Sequence, residues 1–389
     1  MSNRVGFVQK RHNNIWIILS CVLAAVGVYG MVQVFLHGQE ASYGVSREFP
    51  WGLLLVGYVF LVVSSTGLCL ISSLGHIWGF KQFNAIGKRA IWLSFSTLIG
   101  GFYIIFWDLG GPFKLQILRF VEYFFPFHYK SPILWMGVLY GFYMVFILLE
   151  FYFLITKRWK KAFIFGMLGF FTGIAAHSNL GAVFGDNISR PFWHGVFLPI
   201  YFILSALISG NALSIFIQYF SNGGKFGKDS DSLKALSSLA KLLVLFLGIM
   251  LFFEIWKTIT SLYGHPHMKY EVMMTLIDGP LSTNYLYFEI GLGIVVPSVL
   301  LLLSKFKSPF IILLSAISVM IGIYFMRFDL VYTGQIVGVN SGYLPQITYL
   351  KYTPTLAEYT LFISSIGVAG LVYFIGEKFF NLQEEARHE

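Results

Sequence analysis

The sequence predicts an all-α integral membrane protein of ten transmembrane helices with both termini in the cytoplasm. Three observations lead there. Hydrophobic residues make up 57% of the 389-residue chain and gather into blocks of spanning length, for which roughly 20 apolar residues are needed. Only 12% of residues are charged while 19% are aromatic, far from the balance of a soluble domain. Lys and Arg crowd alternate connections between the apolar blocks.

In chain order the spans are expected at 15–36, 51–74, 90–109, 133–155, 162–184, 195–220, 236–263, 285–303, 309–325 and 355–374. Arg4, Lys10 and Arg11 precede the first, and no small-residue cleavage pattern follows it, so it reads as a retained helix rather than a signal peptide. Lys81, Lys88 and Arg89 part the second span from the third, which Asp108 closes. Lys157, Arg158, Lys160 and Lys161 part the fourth from the fifth, and Arg190 lies before the sixth. Lys225, Lys228 and Lys234 precede the seventh, which holds Lys241, Glu254 and Lys257 within it. Lys305 and Lys307 follow the eighth, Arg327 and Asp329 close the ninth, and Glu358 opens the tenth. Seventeen basic residues fall on the side of the termini and eight on the other, which sets the expected orientation.

The chain reads as one polytopic domain, 1–389, with helices one to five over 15–184, six to ten over 195–374 and a cytoplasmic tail at 375–389. The outer connections 110–132 and 264–284, and the stretch after Arg327, are rich in Gly, Pro and aromatics and are expected to dock partners or act as lids. The formal charge of +9 follows from the positive-inside bias and is not read as nucleic-acid binding. Cys21 and Cys69 both lie inside apolar blocks. Two thiolates fall short of the four that hold an iron–sulfur cluster, and there is no CxxCH haem-attachment motif. Only His177 lies well inside a span, so a haem would need the pair His177 and His194, and a metal site faces the same shortage of ligands.

Seven ionisable residues lie in or beside the spans: Asp108, His177, Glu254, Glu289, Arg327, Asp329 and Glu358. Charge there is costly and marks functional candidates. At about 1.5 Å per residue all fall toward the outer face, His177 roughly 22 Å along its helix. Glu150, near the inner end of the fourth span, is the exception. Each has a plain alternative: Asp108, Asp329 and Glu358 as helix ends among headgroups, Arg327 as a snorkelling or Asp329-paired cation. Gly169, Gly173, His177, Gly181 and Gly185 recur every four residues along one helix stripe. Such a stripe serves close helix packing, or leaves room for a flat ligand at the imidazole. A quinone headgroup asks for an imidazole donor, carboxylates to pass protons and aromatic walls, and His177, Asp108 and Glu254 are of suitable type. Residue types alone do not choose a quinone over a transported ion, so a proton- or ion-coupled secondary transporter stands as the alternative.

A resemblance covers nearly the whole chain. It is carried by Phe49-Pro50-Trp51-Gly52, Ser64-Ser65-Thr66-Gly67, Asp108, Leu149-Glu150-Phe151, His177-Ser178-Asn179-Leu180-Gly181 and Arg190-Pro191-Phe192-Trp193. Leu198-Pro199, Ser205-Ala206, Glu289, Arg327 and Pro354-Thr355 with Glu358 complete it. In these the chain resembles the NrfD/PsrC-type integral membrane subunits, closest to the ten-span HybB-like, DsrP-like and QrcD-like branch. The resemblance implies two four-helix bundles, helices two to five and six to nine, flanked by helices one and ten. It implies electron exchange with menaquinone or ubiquinone near the periplasmic face of a prokaryotic inner membrane, with no haem or iron–sulfur cluster in this chain. A periplasmic ferredoxin-like iron–sulfur subunit would relay the electrons, with further cytochrome or molybdoenzyme-type subunits. The quinone site would be His177 and Asp108 with Ser178 and Ser65. Glu150, Glu254, Glu289, Arg327 and Glu358 would serve proton movement. Ser73-Leu74-Gly75-His76 leans toward the sulfur-linked members.

Overall fold

The computed structural model describes residues 2–109, 121–122, 124–227, 230–266, 268–338, 349–380 and 382. Among them, ten helices are long and apolar enough to cross a membrane. They are α1 (Ser2–His37), α2 (Leu53–His76), α3 (Gly87–Asp108), α4 (Pro132–Ile155) and α5 (Trp159–Gly185). After them come α6 (Phe197–Ser221), α7 (Asp231–Leu262), α8 (Thr283–Leu303), α9 (Pro309–Ile336) and α10 (Leu356–Phe379). Local chemistry sets several starts. Pro132 and Pro309 stand at first-turn positions, where no N–H is needed. Ser230 accepts from Leu233 N at the head of α7. Thr355 and Glu358 form a reciprocal capping box on α10. The first part of α8, Thr283–Val295, is wound as a π-helix, a form that is rare and concentrated at functional sites.

α2 and α6 lie at the centre, with 89% and 72% of their apolar windows buried, against 17% for α1. α2 packs on α3, α5, α6, α9 and α10; α6 packs on α5, α7 and α9; α8 packs on α9; and α1 rides on α10. The α2–α6 crossing is backbone against backbone. A Cβ on Gly67 would strike the Ala206 carbonyl, and one on Gly210 would strike Gly67 itself. Large apolar side chains left exposed, such as Ile18 and Phe35 on α1 and Phe252 and Trp256 on α7, suit a lipid-facing surface.

The connections α1–α2, α5–α6 and α9–α10 meet at one end, tied by Arg190. Its guanidinium donates to the carbonyls of Glu48 (3.0 Å), Gln335 (3.3 Å) and Val337 (3.0 Å). Gln335 at the close of α9 clamps Trp51 through both backbone groups, at 3.0 and 2.9 Å. Glu358 joins the same end. Its carboxylate accepts from Gly44 N (2.8 Å), Thr355 N (2.9 Å) and the Tyr352 hydroxyl (2.6 Å), while that hydroxyl accepts from Leu53 N (2.6 Å). Burial and the Glu358 charge push the Tyr352 phenol well up, so it stays a neutral donor. At the opposite end Arg89 pairs with Glu377 at 2.9 Å.

Two expectations change. The ninth helix does not stop at 325 but runs to Ile336. Arg327 and Asp329 read as interfacial ends because they are charged, yet both are buried inside the helix packing. Glu358 is likewise buried, not exposed to headgroups. Of the expected docking loops, 264–284 carries a helix, Lys269–Ile277, whose Val272, Met273 and Leu276 pack against Ile336 and Val337. Residues 110–120, 123 and 339–348, and most of the tail, lie outside the described residues.

Gly67→Val is expected to wedge α2 from α6 and strongly reduce the amount of folded protein recovered from membranes, as read by fluorescence-detected size exclusion. Tyr352→Phe strips a donor from a buried carboxylate and an acceptor from Leu53 N. It is expected to cost about 2–3 kcal/mol, visible as a lowered melting temperature in detergent; an unchanged melt would contradict the anchoring role.

Candidate functional site

Two polar sites flank α6, one on the α5 side and one toward α7, α8 and α9. On the first, α5 carries His177 fully buried. Its Nδ1 lies 3.0 Å from the Tyr140 hydroxyl of α4, and its Nε2 has no hydrogen-bond partner. The Phe202 ring of α6 stands 6.2 Å from the imidazole, and the Arg327 guanidinium lies over that same ring at 4.7 Å. Arg327 donates from Nη2 to Ser205 Oγ, leaving Nε and Nη1 without partners. His177, Tyr140, Tyr201 and Glu289 all lie within its electrostatic reach. The glycine stripe around His177 is spent on packing: a Cβ at Gly181 would meet Pro199 at 2.6 Å, and one at Gly173 would meet the Tyr143 ring at 3.1 Å.

On the second side, the π-wound part of α8 presents Glu289, whose Oε1 accepts from the Tyr201 hydroxyl at 3.5 Å. Glu254 and Lys257, one turn apart on α7, form an ion pair at 2.5 Å. Tyr285 donates to Glu254 at 3.1 Å, and the Lys257 ammonium lies over the Tyr201 and Tyr285 rings at 5.5 and 5.3 Å. Asp329 is buried, with the Glu289 carboxyl and the Asn284 amide as its polar neighbours. These groups border a cavity of about 360 Å³ walled mainly by aromatics of α6, α7 and the α5–α6 connection.

The structure thus gathers His177 with Arg327, and Glu254 with Glu289, Asp329 and Lys257. It does not bring Asp108 to His177. Asp108 ends α3 half-buried near Glu358 and Tyr43, whose phenol burial and then Asp108 push up, and whose hydroxyl donates to Trp107 O at 3.0 Å. Ser65 is tied into a hydroxyl cluster, donating to Ser94 O at 2.7 Å beside Tyr143. Ser178 is half-buried next to His177 in sequence. Glu150 is buried with both oxygens unpartnered, against Gly166 of α5. Glu358 has a full set of donors from the chain's own backbone and Tyr352. His194 donates from Nδ1 to Gly185 O at 3.0 Å, and among the described residues no three His, Cys, Asp or Glu side chains converge on a metal position.

Sequence reasoning passes over Lys257 as a leftover cation and treats the tyrosines as walls. The Glu254–Lys257 spacing at i,i+3 is a readable signal of a pair. Tyr140, Tyr201, Tyr285 and Tyr352 each meet a titratable side chain, and no sequence pattern marks which tyrosines do so.

A family model described as polysulphide reductase, NrfD, matches residues 41–340. The chain is similar to a selenate reductase subunit of Mesobacillus selenatarsenatis, with 27% identity over 94% of this chain and 94% of that protein. It is also similar to the Hdr-like menaquinol oxidoreductase integral membrane subunit of Archaeoglobus fulgidus, with 25% identity over 94% of this chain and 93% of that one. With ten helices of spanning character and a match across most of its length, the chain belongs to the NrfD polysulphide reductase family of membrane subunits.

Proposed function

We propose that this chain is the quinone-interacting membrane subunit of a multi-subunit respiratory oxidoreductase in a prokaryotic cytoplasmic membrane. Electrons pass between menaquinone or ubiquinone and a partner iron–sulfur subunit. In this reading α2–α5 and α6–α9 act as two four-helix bundles flanked by α1 and α10, and the Arg190 end faces the periplasm, as the distribution of basic residues favours. Relatives named as a selenate reductase subunit and a menaquinol oxidoreductase integral membrane subunit support it.

The observation that carries the reading is His177: a buried imidazole with one nitrogen engaged by Tyr140 and the other without a partner. When Tyr140 donates to Nδ1, Nε2 carries the proton and can donate to a quinone carbonyl. When Nδ1–H donates to Tyr140, Nε2 accepts from a quinol hydroxyl. Two tautomers of one side chain therefore match both redox states of the substrate. A quinol supplies two electrons and two protons as it becomes a quinone. Arg327, a cation behind Phe202, favours negative charge in its surroundings and so suits an oxygen that gains electron density as a quinone is reduced. Glu254, Glu289 and Asp329 form the set through which protons move on the far side of α6, and Glu150 extends the path toward the other end. Glu358, saturated with donors, holds α10 to the α1–α2 connection and carries no proton in this scheme.

His177→Ala is expected to lower quinol-dependent electron transfer at least 100-fold in the assembled complex, with subunit composition unchanged on native gels. Wild-type turnover in that variant would remove His177 from the reaction.

A further inference from the structure

Pro297 lies inside α8, just past the point where the π-wound segment Thr283–Val295 passes into the α-helical turns Val296–Leu303. A proline has no N–H, so one carbonyl of the preceding turn loses its donor. In the π-winding each N–H bonds the carbonyl five residues back, and Val296 N–H accordingly goes to Gly291 O. The next N–H in that register would serve Leu292 O, and it is the one Pro297 lacks. The Ser318 hydroxyl of α9 takes its place, donating to Leu292 O across the helix contact. Ser298 and Ser315 of the same two helices bond within their own helix instead, to Ile294 O at 2.6 Å and Ile311 O at 2.8 Å. Ser318 reaches across because α8 and α9 nearly touch one turn further along α9. A Cβ on Gly293 would stand 2.8 Å from the Gly322 Cα.

One hydroxyl therefore bears on the choice of winding. Were α8 an α-helix here, Val296 N–H would move to Leu292 O, four residues back, and the Ser318 bond would be redundant. With Ser318 in place, the π-winding leaves neither Gly291 O nor Leu292 O without a donor. Without it, Leu292 O is a carbonyl with no donor inside a membrane span, which is costly. The winding matters because it turns every residue before Leu292 about the helix axis, relative to the part packed at Gly293 and Gly322. Glu289 and Tyr285 both lie in the turned part. In the π-winding Glu289 meets the Tyr201 hydroxyl at 3.5 Å, and Tyr285 donates to Glu254 at 3.1 Å. We propose that Ser318 is a positioning residue: by holding Leu292 O it keeps α8 in the winding that aims Glu289 and Tyr285 at the acidic set of α7 and α9. This rests on the proton role given above to Glu289 and its neighbours, and adds the residue that places them.

The test uses the assembled complex in native membranes, with Ser318→Ala, Ser318→Thr and Glu289→Gln variants. Winding is read apart from turnover, by pulsed EPR distances between spin labels at Ile259→Cys on α7 and Tyr287→Cys on α8. Both positions are exposed, and Cys21→Ser removes the exposed native thiol. Ser318→Ala is expected to shift or broaden the distance distribution, and Ser318→Thr, which keeps the hydroxyl, to restore it. Quinol-driven turnover should fall about tenfold in Ser318→Ala, the scale of one hydrogen bond lost from a positioned group. Its pH profile should change in the same sense as that of Glu289→Gln, with the KM for menaquinol unaltered, a pattern that loosened packing alone does not produce. An unchanged label distance in Ser318→Ala, or Ser318→Thr behaving as Ser318→Ala does, overturns the proposal. A changed distance with turnover and pH profile at wild-type values overturns the positioning role. If Glu289→Gln is then equally silent while His177→Ala is not, the proton role of Glu289 falls with it and the quinone reading stands.

Discussion

A guanidinium buried in the middle of a membrane-spanning protein has to be answered by the helices around it, and the placement of Arg327 governs much of what surrounds it. Its charge is met by the Ser205 hydroxyl, by the face of the Phe202 ring, and by Tyr201, Tyr140 and Glu289 within electrostatic reach. Those partners come from α4, α6 and α8, so one cation on α9 helps fix the register of four helices against each other. Close packing makes this possible. α2 and α6 touch backbone to backbone at Gly67 and Gly210, which lets α9 reach both. Two of the guanidinium's nitrogens remain without partners, and so does Nε2 of His177. The polar centre is therefore only partly satisfied by the protein's own groups, as expected where a substrate or protons complete it.

Much of the fold is legible from the sequence because the bilayer admits few solutions. Apolar length gives the number of spans, and the ends fall close to expectation wherever a basic cluster or a proline marks them, as at Pro132 and Pro309. The ninth helix is cut short at Arg327 for a physical reason: a lone charge in an apolar run looks like an interface when its partners lie elsewhere in the chain. Ser205 and Phe202 are more than a hundred residues away in sequence. Burial of Glu358 is hidden in the same way, since its donors are backbone N–H groups and one tyrosine from other segments.

The site is legible in type but not in arrangement. Sequence spacing singles out His177 and reads the glycines around it as either packing or ligand space; Pro199 and the Tyr143 ring fill that space. Resemblance pairs Asp108 with His177, whereas in three dimensions Asp108 neighbours Tyr43 and Glu358. Glu254 and Glu289 stand out in the sequence as deep acids, whereas Asp329 reads as a helix end and Lys257 as a leftover cation. The π-winding that presents Glu289 leaves no mark in periodicity over so short a stretch.

The central claim is that electrons pass between this chain's quinone and an iron–sulfur partner. The most direct measurement is to isolate the chain from native membranes in mild detergent with whatever accompanies it and to record EPR spectra before and after adding menaquinol. Iron–sulfur signals that appear on menaquinol addition, in a sample holding this chain and a cluster-bearing subunit, are the predicted result. A lone, EPR-silent protein without bound quinone would contradict the claim and favour a transporter.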